Sequence, residues 1–437
     1  MTKPTTEIAL KNNTQSSNVR AYITGLDLNR DNHVLLLQAD GKTVYRPANP
    51  SQPQAALAAD CAIALGAPGS TRKVTIPQIA GGRIWFAVDG ELKFTINPGP
   101  ALVEPAVNNV ADPNYNTNWG FCEFTFNKDQ LFVNISYVDF VSLPISLELQ
   151  NEQGKVQSVG GLNQDGLDAI CKGLEAQHAK DGKGWDKLVI KGPNGKNLRA
   201  LSPNAGDVIS PGLFNNYYQP YVDQVWDKYS KEELTINTQA AAGNVKGKVV
   251  NGKLDFGDAG VYAKPTAQDI FTCSTGPFVT DQNQAKLAVI PRLAAAFNRS
   301  TLLTNSNQPL SEKVANYYKN DITNHYSRVV HENNKNARGY AFPYDDVAPG
   351  DGEDQAGTVF DGAPQLLTVT LGGVSSGAGV PPTNSKKQPA PKNTGGKHMG
   401  GKPADQKPKG GEPKKKNGLW EKTKGTMGKM SQKMMCK

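Results

Sequence analysis

Residues 119–149, WGFCEFTFNKDQLFVNISYVDFVSLPISLEL, decide the fold. Cys122, Phe124 and Phe126 alternate with Glu123, Thr125 and Asn127, the period-two pattern of a strand with one apolar and one polar face. Asn127-Lys128-Asp129-Gln130 reads as a tight turn and residues 131–141 as the returning strand. With Lys128 and Asp129 central in the turn, Thr125 faces Phe132 and Glu123 faces Asn134. Glu123, Thr125, Asn127, Phe132 and Ser136 then share one face. Asp139, three residues past Ser136, has the opposite parity and would point into the apolar side with Val133 and Ile135. Burying an ionised Asp there is costly. A β-bulge or an equivalent kink is therefore expected within 136–139, at Tyr137-Val138, turning Asp139 back towards Glu123. Paired carboxylates of this kind are the equipment of glycosidic-bond hydrolysis.

Upstream of this hairpin the chain continues in the same manner. Short β-rich runs (VRAYITGL, HVLLLQA, RKVTIPQI, GRIWFAV) are separated by Gly, Pro, Asn and Asp, which suggests a mainly β sandwich or barrel. After Gln150 the period changes. Leu167, Ile170, Cys171 and Leu174 recur at helical spacing, as do Val222, Val225, Trp226 and Tyr229, with a strand at LVIKG between them. The expected organisation is a β body over 1–154, an inserted smaller α/β domain over 155–255 and a return to the body over 256–372. The return contains VYAKPT, DIFTCS, a helix near 283–298, a longer amphipathic helix near 311–332 and a closing strand, QLLTVTL. From 373 to 437 the chain is Gly-, Pro- and Lys-rich and is expected to be disordered. A short basic amphipathic helix at its end would suit an anionic membrane or an acidic partner. A solvated lysine tail is the plainer reading.

At this point the chain resembles the laminaripentaose-producing β-1,3-glucanases, glycoside hydrolase family 64, within the thaumatin-like superfamily. The resemblance rests on the hairpin and on NYYQPYVDQVWDKY (216–229), DIFTCSTGPF (269–278), PRLAAAFNRSTLL (291–303) and YAFPYDDV (340–347). It implies a thaumatin-like β body, a cleft between it and the inserted domain, and inverting endo-hydrolysis of β-1,3-glucan. Glu123 would be the general acid and Asp139 the general base, with the family's sixteen-residue interval kept. Substrate-binding positions carry over to Thr125, Asn127, Phe132 (where the family can have Trp), Ser136 (where it can have Thr), Asp112, Asp345 and Asp346. Asp345 and Asp346 also fit a turn cap before Pro349-Gly350. Apolar neighbours such as Phe121 would raise the Glu123 pKa. Trp119 reads as core. A catalytically inactive glucan-binding protein is the alternative.

Charge agrees with a neutral polysaccharide. The formal net charge is +8, but residues 381–437 hold fifteen Lys, no Arg and three acids, a net +12 that leaves −4 for the remaining 380 residues. A mildly acidic body argues against nucleic acid as substrate. The five cysteines are odd in number and scattered, which reads as buried free thiols and a reducing compartment. No secretory h-region is visible at the start, so a cytoplasmic or non-classically exported protein is expected, with the cell wall or extracellular space as the alternative. Histidines and cysteines show neither HExxH nor CxxC spacing, so no metal and no cofactor are expected. A monomer is expected.

Overall fold

The computed structural model describes residues 2–352 and 355–373. The expected basic tail and its terminal helix lie outside the described residues. The body is built on two sheets. The larger runs in the order Thr358–Asp361, Leu131–Ile135, Asn118–Phe126, Ile79–Val88, Val19–Asp27, His33–Leu37, Val44–Tyr45, with Ile63–Ala64 also paired to Val19–Asp27. The second runs Val156–Val159, Ile145–Asn151, Pro364–Leu371, Thr5–Asn12, Thr71–Pro77. Its closing strand, Pro364–Leu371, lies parallel to Thr5–Asn12. Alternation buries one side of each strand: Cys122, Phe124 and Phe126 are at most 2% exposed, while Glu123 and Thr125 are half-buried. Trp119 is in the core.

The hairpin has the register its turn dictates. Glu123 pairs with Asn134, Thr125 with Phe132 and Phe126 with Leu131. On its other edge the Glu123 strand pairs with Ile79–Val88, where a bulge falls between Phe124 and Phe126. Gly82 lies under the Phe124 ring there, and a Cβ would come within 2.4 Å of it.

The helical part does not end where the sequence suggested. Helices Gly166–Asp181, Pro203–Ile209 and Gln219–Lys231 share it with Ala267–Thr272, Gln284–Arg299 and His325–Asn333. Strand Leu234–Asn237 pairs in parallel with Asn307–Gln308, so the expected boundary at 255 cuts through a sheet. Conversely, strand Val156–Val159 belongs to the body. The described residues belong to one compact unit with one continuous hydrophobic core. DIFTCS begins inside the helix Ala267–Thr272, which Thr266 and Asp269 start with a reciprocal capping box. The long helix expected at 311–332 is replaced by a single 3-10 turn, Val314–Asn316, and the helix His325–Asn333. Tyr318 takes a left-handed conformation, and the Asn324 side chain accepts from Ser327 N to start a new helix.

Candidate active site

Strand Leu131–Ile135 stops short of the length the sequence suggested. Ser136 bridges to Tyr340 instead, and the chain bends at Val138–Asp139 before Phe140–Val141 joins a different strand, Asn197–Leu201. Hydrogen bonds from three separate segments to its backbone hold this bend. Tyr137 N donates to Tyr340 O at 2.8 Å, Tyr326 Oη donates to Tyr137 O at 2.6 Å, and Ser202 N donates to Asp139 O at 2.9 Å. The parity problem of Asp139 is thus solved by leaving the ladder. Asp139 keeps partial solvent exposure.

Four charged groups, each half-buried, meet beside the polar face of the larger sheet. Directly across the strands run Thr24, Arg83, Glu123 and Asn134. Arg83 Nη2 reaches Glu123 Oε1 at 3.5 Å, and Asn134 Nδ2 donates to Glu123 Oε2 at 3.4 Å. Glu104, just past strand Ala101–Val103, accepts from Arg83 Nη1 at 2.5 Å and from Thr24 Oγ1 at 3.5 Å. Burial pushes the Asp139 carboxyl up; Arg83 pulls it down, and Glu123 and Glu104 push it up again. Glu104 is also raised, first by burial. Glu123, Asp139, Glu104 and Arg83 therefore form one electrostatic cluster.

The face around this cluster is closed at one end and open at the other. Trp85, Trp119, Phe121 and Phe140 pack as buried aromatics on the closed side. Phe121 does neighbour Glu123, as the sequence suggested, but the Arg83 guanidinium lies over its ring at 4.9 Å, so the surroundings of Glu123 are not purely apolar. On the open side Thr125 and Phe132 are half-exposed. Phe132 stacks at 6.3 Å on Phe360, which is 52% exposed.

The other expected residues divide. Ser136 is 8% exposed beside Phe121 and Phe140, in a crevice of about 10 Å³. Asn127 closes the hairpin turn, its side-chain Oδ1 accepting from Asp129 N and Gln130 N, each at 2.9 Å. Asp112 accepts from Asn114 N and Ala106 N and organises its own loop. Asp345 is a correction: it is 1% exposed, and Arg299, His331 and Ala341 N occupy its carboxylate, so it faces the core and not a groove. Asp346 is exposed at its surface, and the protein packed around it raises its carboxyl against the pull of Arg292. Sequence reasoning missed Arg83, Glu104 and Phe360, which lie far from the hairpin in the chain. Among the described residues no cluster of His, Cys, Asp and Glu could hold a metal ion.

A mainly β chain with a carboxyl cluster on an open sheet face has the design of a glycoside hydrolase. A family model described as beta-1,3-glucanase, that of glycoside hydrolase family 64, matches residues 4–371, and the chain belongs to that family. Glucan endo-1,3-beta-glucosidases from Cellulosimicrobium cellulans and from Arthrobacter sp. (strain YCWD3) are each 30% identical over 332 residues, covering 74% of this chain and 57% of their own length. The chain thus spans little more than half the length of these relatives. A laminaripentaose-producing beta-1,3-glucanase solved in complex with laminaritetraose is similar with a TM-score of 0.75 at 29% identity, over 84% of this chain and 99% of that one. A family 64 glucanase domain from Clostridium beijerinckii shares the fold, with a TM-score of 0.64 at 21% identity over 84% of this chain and 98% of that one.

Proposed function

We propose that the chain is an inverting endo-β-1,3-glucanase. The observation that carries this reading is the bend at Val138–Asp139, which brings a second carboxyl into the field of Glu123 on an open face. Glu123 protonates the departing glycosidic oxygen. Asp139 takes a proton from a water that attacks the opposite side of the sugar ring. Inversion requires the two carboxyls about 6.5–9.5 Å apart, leaving room for that water. Family membership, the curated relatives and the laminaritetraose complex support β-1,3-glucan as substrate. Thr125 offers a hydroxyl to the sugar, and the Phe132–Phe360 pair offers an apolar platform for a ring face.

The test is reducing-end release from laminarin and curdlan by wild type, Glu123→Gln and Asp139→Asn, with the anomer formed followed by NMR. Each substitution should cost at least about 10²-fold in kcat. Glucan pull-down without release would support a binding protein instead. A retained anomeric configuration would exclude the inverting mechanism.

A further inference from the structure

Arg83 and Glu104 have no part in the chemistry just described, yet they stand beside its acid. Arg83 is the direct cross-strand neighbour of Glu123, and its guanidinium is fixed over Trp85 at 5.4 Å and Phe121 at 4.9 Å. It is not shared evenly. Glu104 holds it at 2.5 Å and Glu123 at 3.5 Å. Glu104 is itself fixed by Thr24, whose hydroxyl also accepts from Trp85 Nε1 at 2.9 Å. A guanidinium this close to a general acid poses a problem, because a neighbouring cation favours the ionised carboxylate, which has no proton to give.

We propose that Glu104 is a positioning residue for the general acid: by binding the Arg83 guanidinium it draws that charge away from Glu123, the group proposed to protonate the glycosidic oxygen. This rests on the roles proposed for Glu123 and Asp139. Arg83 remains useful in that arrangement. It orients the Glu123 carboxyl and keeps three neighbouring carboxyls from repelling one another apart. The groups facing Glu123 are Arg83 on one neighbouring strand, Asn134 on the other, Glu104 past strand Ala101–Val103, Asp139 on the bend and Tyr340 on the segment beside Ser136. Arg83 is the cation among them. Burial disfavours its charge, and Glu104 is the largest of the carboxylate contributions that restore it, ahead of Glu123 and Asp139.

Glu104→Gln leaves the full charge of Arg83 facing Glu123 and Asp139. The alkaline limb of kcat/KM should move to lower pH by about one unit or more. Glu104→Asp, which keeps the charge, should restore most of the limb. ¹³C-carboxyl NMR follows Glu123 directly in the same proteins, and its titration should move to lower pH in Glu104→Gln. A uniform loss of kcat across pH, with Glu123 titrating as in wild type, would overturn the proposal and leave Glu104 a structural role. Glu123→Gln separates the two readings: if it retains turnover, the general-acid assignment itself fails. The NMR titration tests the Glu104 effect in either case.

Discussion

Asp345 and Asp346 follow one another in the chain and lie in opposite environments. Asp345 accepts from Arg299 at 3.0 Å and from His331 at 2.8 Å, with both partners buried. Asp345→Asn leaves Arg299 buried beside a neutral amide and should cost about 3–5 kcal/mol of unfolding free energy, measured by urea titration. Asp346→Asn removes an exposed carboxylate and should change stability by less than about 0.5 kcal/mol. The Asp345–His331 pair also sets a pH dependence. His331 and, less strongly, Arg299 hold Asp345 below its ordinary value against the push of burial, so its contribution is present above about pH 4 and lost as pH falls through the lowered value. Asp345 holds His331 above its ordinary value, so that contribution is complete below about pH 6.5 and lost as pH rises through the raised value. His331→Gln should therefore lower Tm most between about pH 4 and 6.5, with the gap to wild type narrowing at higher pH. A gap independent of pH would show that the pair contributes no charge interaction. From sequence, the two acids were open to a groove role and to a turn role alike. Nothing in the sequence near 345 reveals that Arg299 and His331 converge on one carboxylate and leave the next in solvent.

Strands made the candidate site legible where side-chain parity and turn length sufficed. A two-residue turn allows one register, so Glu123 opposite Asn134 and Thr125 opposite Phe132 followed from counting. The same counting showed that Asp139 could not remain in the ladder, and the chain leaves it after Ser136. Arg83, Glu104 and Phe360 were not legible, because each reaches the face from an element that sequence spacing cannot align with the hairpin. Helical period failed at 311–332 for a different reason. Val314, Tyr317, Ile322 and Tyr326 are spaced plausibly for one helix, but the left-handed Tyr318 and the Asn324 cap divide them. Strand Thr358–Asp361 beside Leu131–Ile135 carries a testable consequence. It sets Phe360 opposite Phe132, and the exposed ring adds area that the Glu123 hairpin lacks. Phe360→Ala should raise KM for laminarin three- to ten-fold, about 0.5–1.5 kcal/mol, with kcat nearly unchanged. A fall in kcat at constant KM would place Phe360 in the chemistry instead of in binding.

Sequence composition separated a β-rich half from a helical one, and the separation is real at the level of secondary structure. It does not extend to the core. Tyrosine hydroxyls join segments far apart in the chain: Tyr229 donates to Leu302 O, Tyr217 to Thr323 O and Tyr326 to Tyr137 O. The last of these runs from the helical part to the bend that carries Asp139. Such ties are invisible in sequence because a buried tyrosine and a core phenylalanine occupy the same apolar positions. They make the geometry of the candidate site depend on helical elements whose side chains reach it through its backbone. Unfolding should therefore be a single transition for the residues within the compact unit. Trp85 and Trp119 report the β body, while Trp185 and Trp226 report the helical part; all four are buried. In variants keeping one pair of tryptophans and replacing the other pair and the remaining Trp420 by Phe, the fluorescence midpoints in urea should coincide with each other and with far-UV circular dichroism. An independently folding inserted domain would give separate midpoints, with the Trp185–Trp226 signal changing in its own step. Glucan hydrolysis, sampled along the same titration, should disappear with the shared transition, since the bend at Asp139 is held by Tyr326 and Ser202 from the helical side.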